Sequence, residues 1–351
     1  MANTNDSSLL PPIESPWKAR IQSNKLINPT IHTLSPMKSG SKLGEEQFLQ
    51  LRVLWPPLIV IDDFEVGPKR FKVKADDVMK ELVPFAAYLK HIQGNKTHIQ
   101  PYKKGRWADN RGVEFRDVRP QRNIARPDYA ESDSLSRESS GPQDIQMRDS
   151  VSNTSAAAEM RDVRWTPTRD EQIVNTALLE YLNALTVNIP EVQCDWSSAR
   201  LAFKAEFGQA HMEARTDGFL KGEGMEEAFA ILEVKPRVRD REGDPAIQYQ
   251  ESAQMVGWIL HDEKNTRKVA LPKRLIISQD RNEIYITEAS YKDEYVQHLK
   301  DKDAEPAGFL TMQEYGPWNI DDHKHMRHLA KIVVRFCIEV SDLIKEATSS
   351  R

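Results

Sequence analysis

The chain has 351 residues, 39% of them hydrophobic and 29% charged, with a net charge of −4 at pH 7. That length suits one large domain or two ordinary ones, and that composition builds a packed core over part of the chain only. The two cysteines, Cys194 and Cys337, form no C-x-x-C pair, which excludes a zinc ribbon or a disulfide scaffold and points to a reducing, intracellular compartment, nucleus or cytoplasm.

In chain order, MANTNDSSLLPPIESPWK lacks the basic start and apolar core of a signal peptide, so secretion is not expected. Residues 1–45 are polar and without sustained period, and are expected to be disordered. Residues 46–117 read as an ordered segment. WPPLIVI, its most apolar stretch, is too short and too broken by proline to span a membrane. KADDVMKELVPFAAYLKHIQG reads as a helix that Pro84 kinks. Residues 118–165 are rich in Ser, Arg, Asp and Pro without pattern and read as a low-complexity linker.

Order resumes at Thr166 and is expected to run to residue 348. TPTRDEQIVNTALLEYLNALT carries the apolar stripe of an amphipathic helix, with Thr168 and Glu171 as a capping box. RLAFKAEF, HMEARTDGFL and AFAILEVK read as three strands, the third apolar throughout its body. Asp244-Pro245 starts a helix over AIQYQESAQMVGWIL. RLIISQ and EIYITEA are two strands around a DRN turn. Helices follow over YKDEYVQHLK and 321–346. Helix, three strands, helix, two strands and helices predict an α/β fold with a mixed central sheet flanked by helices.

AFAILEVK ends in Glu233, Val234 and Lys235. Alternation puts Glu233 and Lys235 on one face with Ile231, and turns Val234 and Leu232 into the core. Buried ions are costly unless paired or metal-bound. The preceding strand carries Glu213, Arg215 and Asp217 on one face, and a hairpin pairing sets Asp217 beside Glu233. Two close carboxylates repel unless a divalent cation joins them, and a neighbouring lysine can orient or deprotonate a water. Such a set suits phosphodiester hydrolysis.

Asp217 followed by Glu233-Val234-Lys235 at the end of an apolar strand resembles the motif of the PD-(D/E)xK nuclease superfamily. The order helix–strand–strand–strand–helix–strand over residues 166–290 is similar to the restriction-endonuclease-like core of that superfamily. LEVKPRVR and SQDRNEIYI further resemble nuclease-like proteins of filamentous fungi. The resemblance implies a nuclease acting on nucleic acid, DNA first, with Mg2+ or Mn2+. It implies metal ligation by Asp217, Glu233 and the carbonyl of Val234, and water activation by Lys235. Glu171 stands for the acidic residue that members add from the first helix. Gln254-Met-Val-Gly-Trp258 is the nearest match to a Gln-x-x-x-Tyr motif, with Gln250 one turn earlier on the same face, and a glutamine there can bond a phosphate or the metal's water. Thr216 stands where the motif has its proline.

Blander readings apply to each residue. An acidic residue two before a lysine occurs three times, at Glu233, Asp262 and Asp322, and only the first ends an apolar strand. Glu233 and Lys235 alone would pass for a surface ion pair, Asp217 for a turn residue before Gly218, Glu171 for a cap, and Gln254 and Trp258 for the border of their helix's packed face. Arg237, Arg239 and Arg241 alternate on one side if the strand continues and can meet phosphates, or belong to a solvated loop with Asp240 and Glu242. His323, His325 and His328 read as the solvated start of the last helix. Residues 166–351 carry 24 Lys and Arg against 32 Asp and Glu, a net of −8, while residues 1–165 carry 25 against 21, a net of +4. An acidic surface opposes non-specific nucleic-acid binding. The alternative is therefore an inactive nuclease-like fold that serves as a nucleic-acid- or protein-interaction module.

Overall fold

A computed structural model describes residues 9–26, 30–33, 37–61, 69–95, 170–271, 273–303 and 307–349. The expected linker, the end of the expected N-terminal segment and Thr168 lie outside these residues. The N-terminal stretch expected to be disordered contains helix α1 (Glu14–Ser23) and a 3-10 turn at Gly40–Lys42. Five of its apolar residues, Leu10, Trp17, Leu26, Ile31 and Leu43, are buried, while Ile13 is exposed. No local period announces them, because each enters the core from irregular backbone or a single helix face. Helix α2 (Glu45–Gln50) and the two-residue strand β1 (Val53–Leu54) follow. Pro84 does more than kink its helix. It falls in the first turn of α4 (Val83–Asn95), separate from α3 (Lys69–Glu81), where a missing N–H costs nothing.

The second part begins with α5 (Glu171–Thr186), where the Asp170 side chain accepts from the Gln172 N–H at 2.9 Å. Strands β2 (Cys194–Ser197), β3 (Ala202–Phe207), β4 (Ala210–Arg215), β5 (Gly218–Gly222) and β6 (Ala228–Lys235) lead to α6 (Ala246–Asn265). Strands β7 (Arg274–Asp280) and β8 (Glu283–Ser290), helix α7 (Asp293–Lys300), strand β9 (Leu310–Asn319) and helix α8 (His323–Ser349) complete it.

Among the described residues, one mixed sheet has the strand order β1-β9-β8-β7-β6-β5-β2, and β3 pairs with β4 in a separate hairpin. The single strand expected at 211–220 thus breaks at Thr216-Asp217 into β4 and β5, which belong to different sheets. Central β6 lies antiparallel to β5 and parallel to β7. Its first seven residues are buried, as a strand covered on both faces requires. Leu232 and Val234 pack with α5 and α8 on one face, and Ile231 packs with α6 and the β3–β4 hairpin on the other. The N-terminal residues are part of the same body, since β1 extends the sheet beside β9. Among the described residues, no helix is long and apolar enough to cross a membrane.

Candidate active site

Asp217 precedes β5, one position beyond the Gly218–Leu232 pair, and so stands opposite Glu233 across the antiparallel ladder. Its N–H donates to the Leu232 carbonyl at 2.9 Å, and the Val234 N–H donates to its Oδ2 at 3.0 Å. Asn175, one turn into α5, donates to the Asp217 carbonyl at 3.1 Å. Thr216, in the place of the motif's proline, is buried and exchanges hydrogen bonds with the backbone of Leu201. Gly218, the residue after Asp217, has to be glycine for a spatial reason. A Cβ on Gly218 would lie 2.6 Å from the Ser197 carbonyl oxygen and 3.0 Å from Leu232 Cδ1.

Glu233 is 1% exposed. Lys235 Nζ and the Gln250 side-chain amide (2.5 Å) both donate to its Oε1, and the Gln254 amide donates to its Oε2. The Gln254 amide also reaches the Arg215 carbonyl at 2.7 Å. The i, i+4 spacing of the two glutamines on α6 makes this joint grip possible. Lys235 Nζ also donates to the Val234 carbonyl at 3.1 Å and lies 3.9 Å from Glu171 at the start of α5. Asp217, Glu171 and Lys235 share a cleft of about 390 Å3 with Arg200, Glu213 and Arg215. All the residues of the expected D…E-x-K set, with Glu171 and both glutamines, therefore converge.

Burial pushes the Glu233 carboxyl up, and the Asp217 charge adds to it, while Lys235 and the Gln254 amide oppose, leaving it at about 8. Burial alone would lower Lys235, but the charge and hydrogen bond of Glu233 outweigh it and raise the ammonium above its ordinary value. Lys235 is thus a fixed cation at neutral pH, fitted to hold and orient a water or phosphate rather than to remove a proton.

Several expectations change. Gln250 and Gln254, expected to bond a phosphate or a metal-bound water, donate to Glu233. Arg239, expected to face phosphate, is buried and bonded to Asp280 (2.5 Å), Glu251 (2.9 Å), Ser278 (2.8 Å) and Glu314. Its guanidinium also sits 3.9 Å over the Tyr285 ring. Arg237 is exposed and pairs with Asp244 at 2.7 Å, outside the cleft lining. Trp258 is fully buried, in line with the packed-face reading of its helix. The histidine run is not merely solvated, because His325 and His328 accept from the Asn319 N–H and the Trp318 indole at 3.1 Å each. Sequence reasoning passed over Asn175 and Arg200 altogether. Arg200 Nη2 lies 2.9 Å from Asp217 Oδ1, and its signal was slight, a single arginine in an irregular stretch.

Among the described residues, no group of three or more His, Cys, Asp or Glu side chains is arranged to hold a metal ion. The donors beside Lys235 are the carboxylates of Asp217 and Glu233 and the carbonyl of Val234. An all-oxygen set is the chemistry of a hard cation such as Mg2+ or Mn2+. No family model, curated protein or solved structure matches the chain.

Proposed function

We propose that this protein hydrolyses phosphodiester bonds of nucleic acid, DNA first, through a metal-dependent PD-(D/E)xK-type site on a restriction-endonuclease-like core. The observation that carries the reading is the convergence of Asp217 and Lys235, which line the cleft, on buried Glu233 behind them at the end of β6. The parallel β6–α6–β7 crossover beside antiparallel β5 supports the core assignment. Asp217, Glu233 and the Val234 carbonyl would hold Mg2+ or Mn2+, which supplies Lewis-acid polarisation of a phosphate and acidifies bound water. Gln250 and Gln254 fix the Glu233 rotamer. Glu171 and Glu233 hold the Lys235 ammonium where it can orient a water toward phosphorus and neutralise charge that develops on the phosphate oxygens.

The test is cleavage of labelled single- and double-stranded DNA, and of RNA, by the full chain with Mg2+ or Mn2+. Lys235→Ala is expected to lower the single-turnover rate by about 10²–10³-fold. Equal rates for wild type and Lys235→Ala would falsify catalysis through this site.

One observation favours the second reading, an inactive interaction module. Both oxygens of Glu233 already accept from Lys235, Gln250 and Gln254, and Asp217 accepts from Val234 and pairs with Arg200. The module predicts no cleavage and no metal-dependent gain in melting temperature.

A further inference from the structure

The outer wall of the cleft comes from residues that the motif-bearing region does not contain. Ser39 and Ser41 flank Gly40 on the 3-10 turn and line the same cleft as Arg200 and Arg215. Gly40 is buried, and a Cβ there would lie 2.8 Å from the Ala214 Cβ and 3.1 Å from the Ala253 Cβ. The turn is thus wedged between β4 and α6, whose alanines leave room for bare backbone only. This docking holds two exposed hydroxyls 3.4 Å apart at the cleft mouth.

The arginines are half or more exposed, at 55% for Arg200 and 67% for Arg215. Each has one carboxylate partner among the described residues. Arg200 Nη2 pairs with Asp217, and Arg215 Nε donates to Glu213 at 2.7 Å. A guanidinium has five N–H donors, so both Nη groups of Arg215 and most of Arg200 remain for an anion. Planar forks of this kind suit bidentate phosphate contacts, and hydroxyls add neutral donors.

We infer that Ser39, Ser41, Arg200 and Arg215 form a phosphate-holding rim that grips the nucleic-acid backbone beside the bond to be cut. The inference rests on the proposed phosphodiesterase reading and adds a substrate-positioning role for the N-terminal turn. Arg200 and Arg215 do not enter the chemistry, but set where the strand lies relative to Lys235.

The experiment is fluorescence anisotropy with the full chain and a fluorescein-labelled DNA 20-mer (about that length) in EDTA, so that binding is read without cleavage, over a salt series. Arg215→Gln and Arg200→Gln are each expected to weaken binding about 5–10-fold and to lower the salt slope by about one. The Ser39→Ala/Ser41→Ala double variant should weaken binding about threefold at unchanged slope, since it removes hydrogen bonds and no charge. Its wild-type melting temperature would show that the turn remains docked. Gly40→Val should reproduce that loss by displacing the turn, and the serine variant keeps the inference testable if Gly40→Val fails to fold. Wild-type affinity and slope in the arginine and serine variants would overturn the rim while leaving a cleaving wild type, and hence the proposed function, intact. Loss of binding in those variants with no cleavage by wild type would support the rim and remove the enzyme. A wild type that binds no oligonucleotide would overturn both. Displacement of the 20-mer by millimolar inorganic phosphate would assign a free-phosphate site and overturn the backbone assignment.

Discussion

The Val234 N–H donates to the Asp217 carboxylate at 3.0 Å, so one carboxylate of the candidate site is tied to the backbone between the other two residues of the set. Asp217 is thereby fixed by the strand rather than by a rotamer choice. Asp217→Asn retains an oxygen that can accept from Val234 and removes only the charge. The metal-free melting temperature is expected to stay close to that of wild type. The gain on adding Mg2+ or Mn2+ is expected to vanish, a gain worth about 2.7 kcal/mol at a hundredfold excess over Kd in a competent site. Thermal denaturation across a metal titration reads both.

Glu233 gives a pH dependence of definite sign. Its folded-state carboxyl lies at about 8, raised by burial and by Asp217, against an ordinary value of 4.5. Between these values the native state keeps a proton that the unfolded chain has released. Its contribution is therefore complete below the ordinary value and is lost as pH rises through about 8. Metal-free wild type is expected to lose stability across that window relative to Glu233→Gln, at no more than about 1.4 kcal/mol per pH unit. Metal competes with this proton, so the stabilisation by Mg2+ should be larger at about pH 8.5 than at about pH 6. Melting temperatures of the two proteins, with and without metal, check both statements.

Arg239 is a matter of stability rather than binding. Its guanidinium is the shared partner of Asp280, Glu251 and Glu314, all fully buried. Arg239→Met leaves three buried carboxylates without their common cation and is expected to cost about 3–5 kcal/mol in urea unfolding. Arg237→Ala removes one exposed pair and is expected to stay within about 0.5 kcal/mol of wild type.

Gly218→Ala tests how closely the approach to Asp217 is packed. The added methyl meets a strand carbonyl at 2.6 Å, and backbone cannot retreat as a flexible side chain does. The expected cost is about 1–3 kcal/mol, with weakened metal stabilisation because Asp217 is the adjoining residue. Chemical denaturation with and without Mn2+ separates the two effects.

The central features were legible because they are written locally. The stripe of α5, the uninterrupted apolar body of β6 and the four-residue spacing of Gln250 and Gln254 all lie within a few turns of chain. Strand β9 was not legible. It alternates buried and half-buried residues faithfully, but Gly316-Pro317 punctuates it like a loop. Four-residue β2 was too short to show a period. Arg239 misled because its neighbours Asp240 and Glu242 suggest a wet loop, whereas its partners come from α6, β7 and β9, up to 75 positions away. The wall of the cleft was hidden for the same reason, since nothing at Gly40 announces its close approach to Ala253 of α6.

The pairing of β1 with β9 also sets an order of events during synthesis. Val53 pairs with Leu310, which leaves the ribosome 257 positions later. At roughly 5–20 residues per second, the N-terminal segment waits on the order of 10–50 s for its neighbour. During that wait Phe48, Leu49 and Trp55, which are almost fully enclosed in the finished core, have no sheet to cover them. Nascent chains of this protein therefore carry exposed apolar surface for most of their translation. Holdase chaperones should engage the first hundred or so residues until β9 emerges.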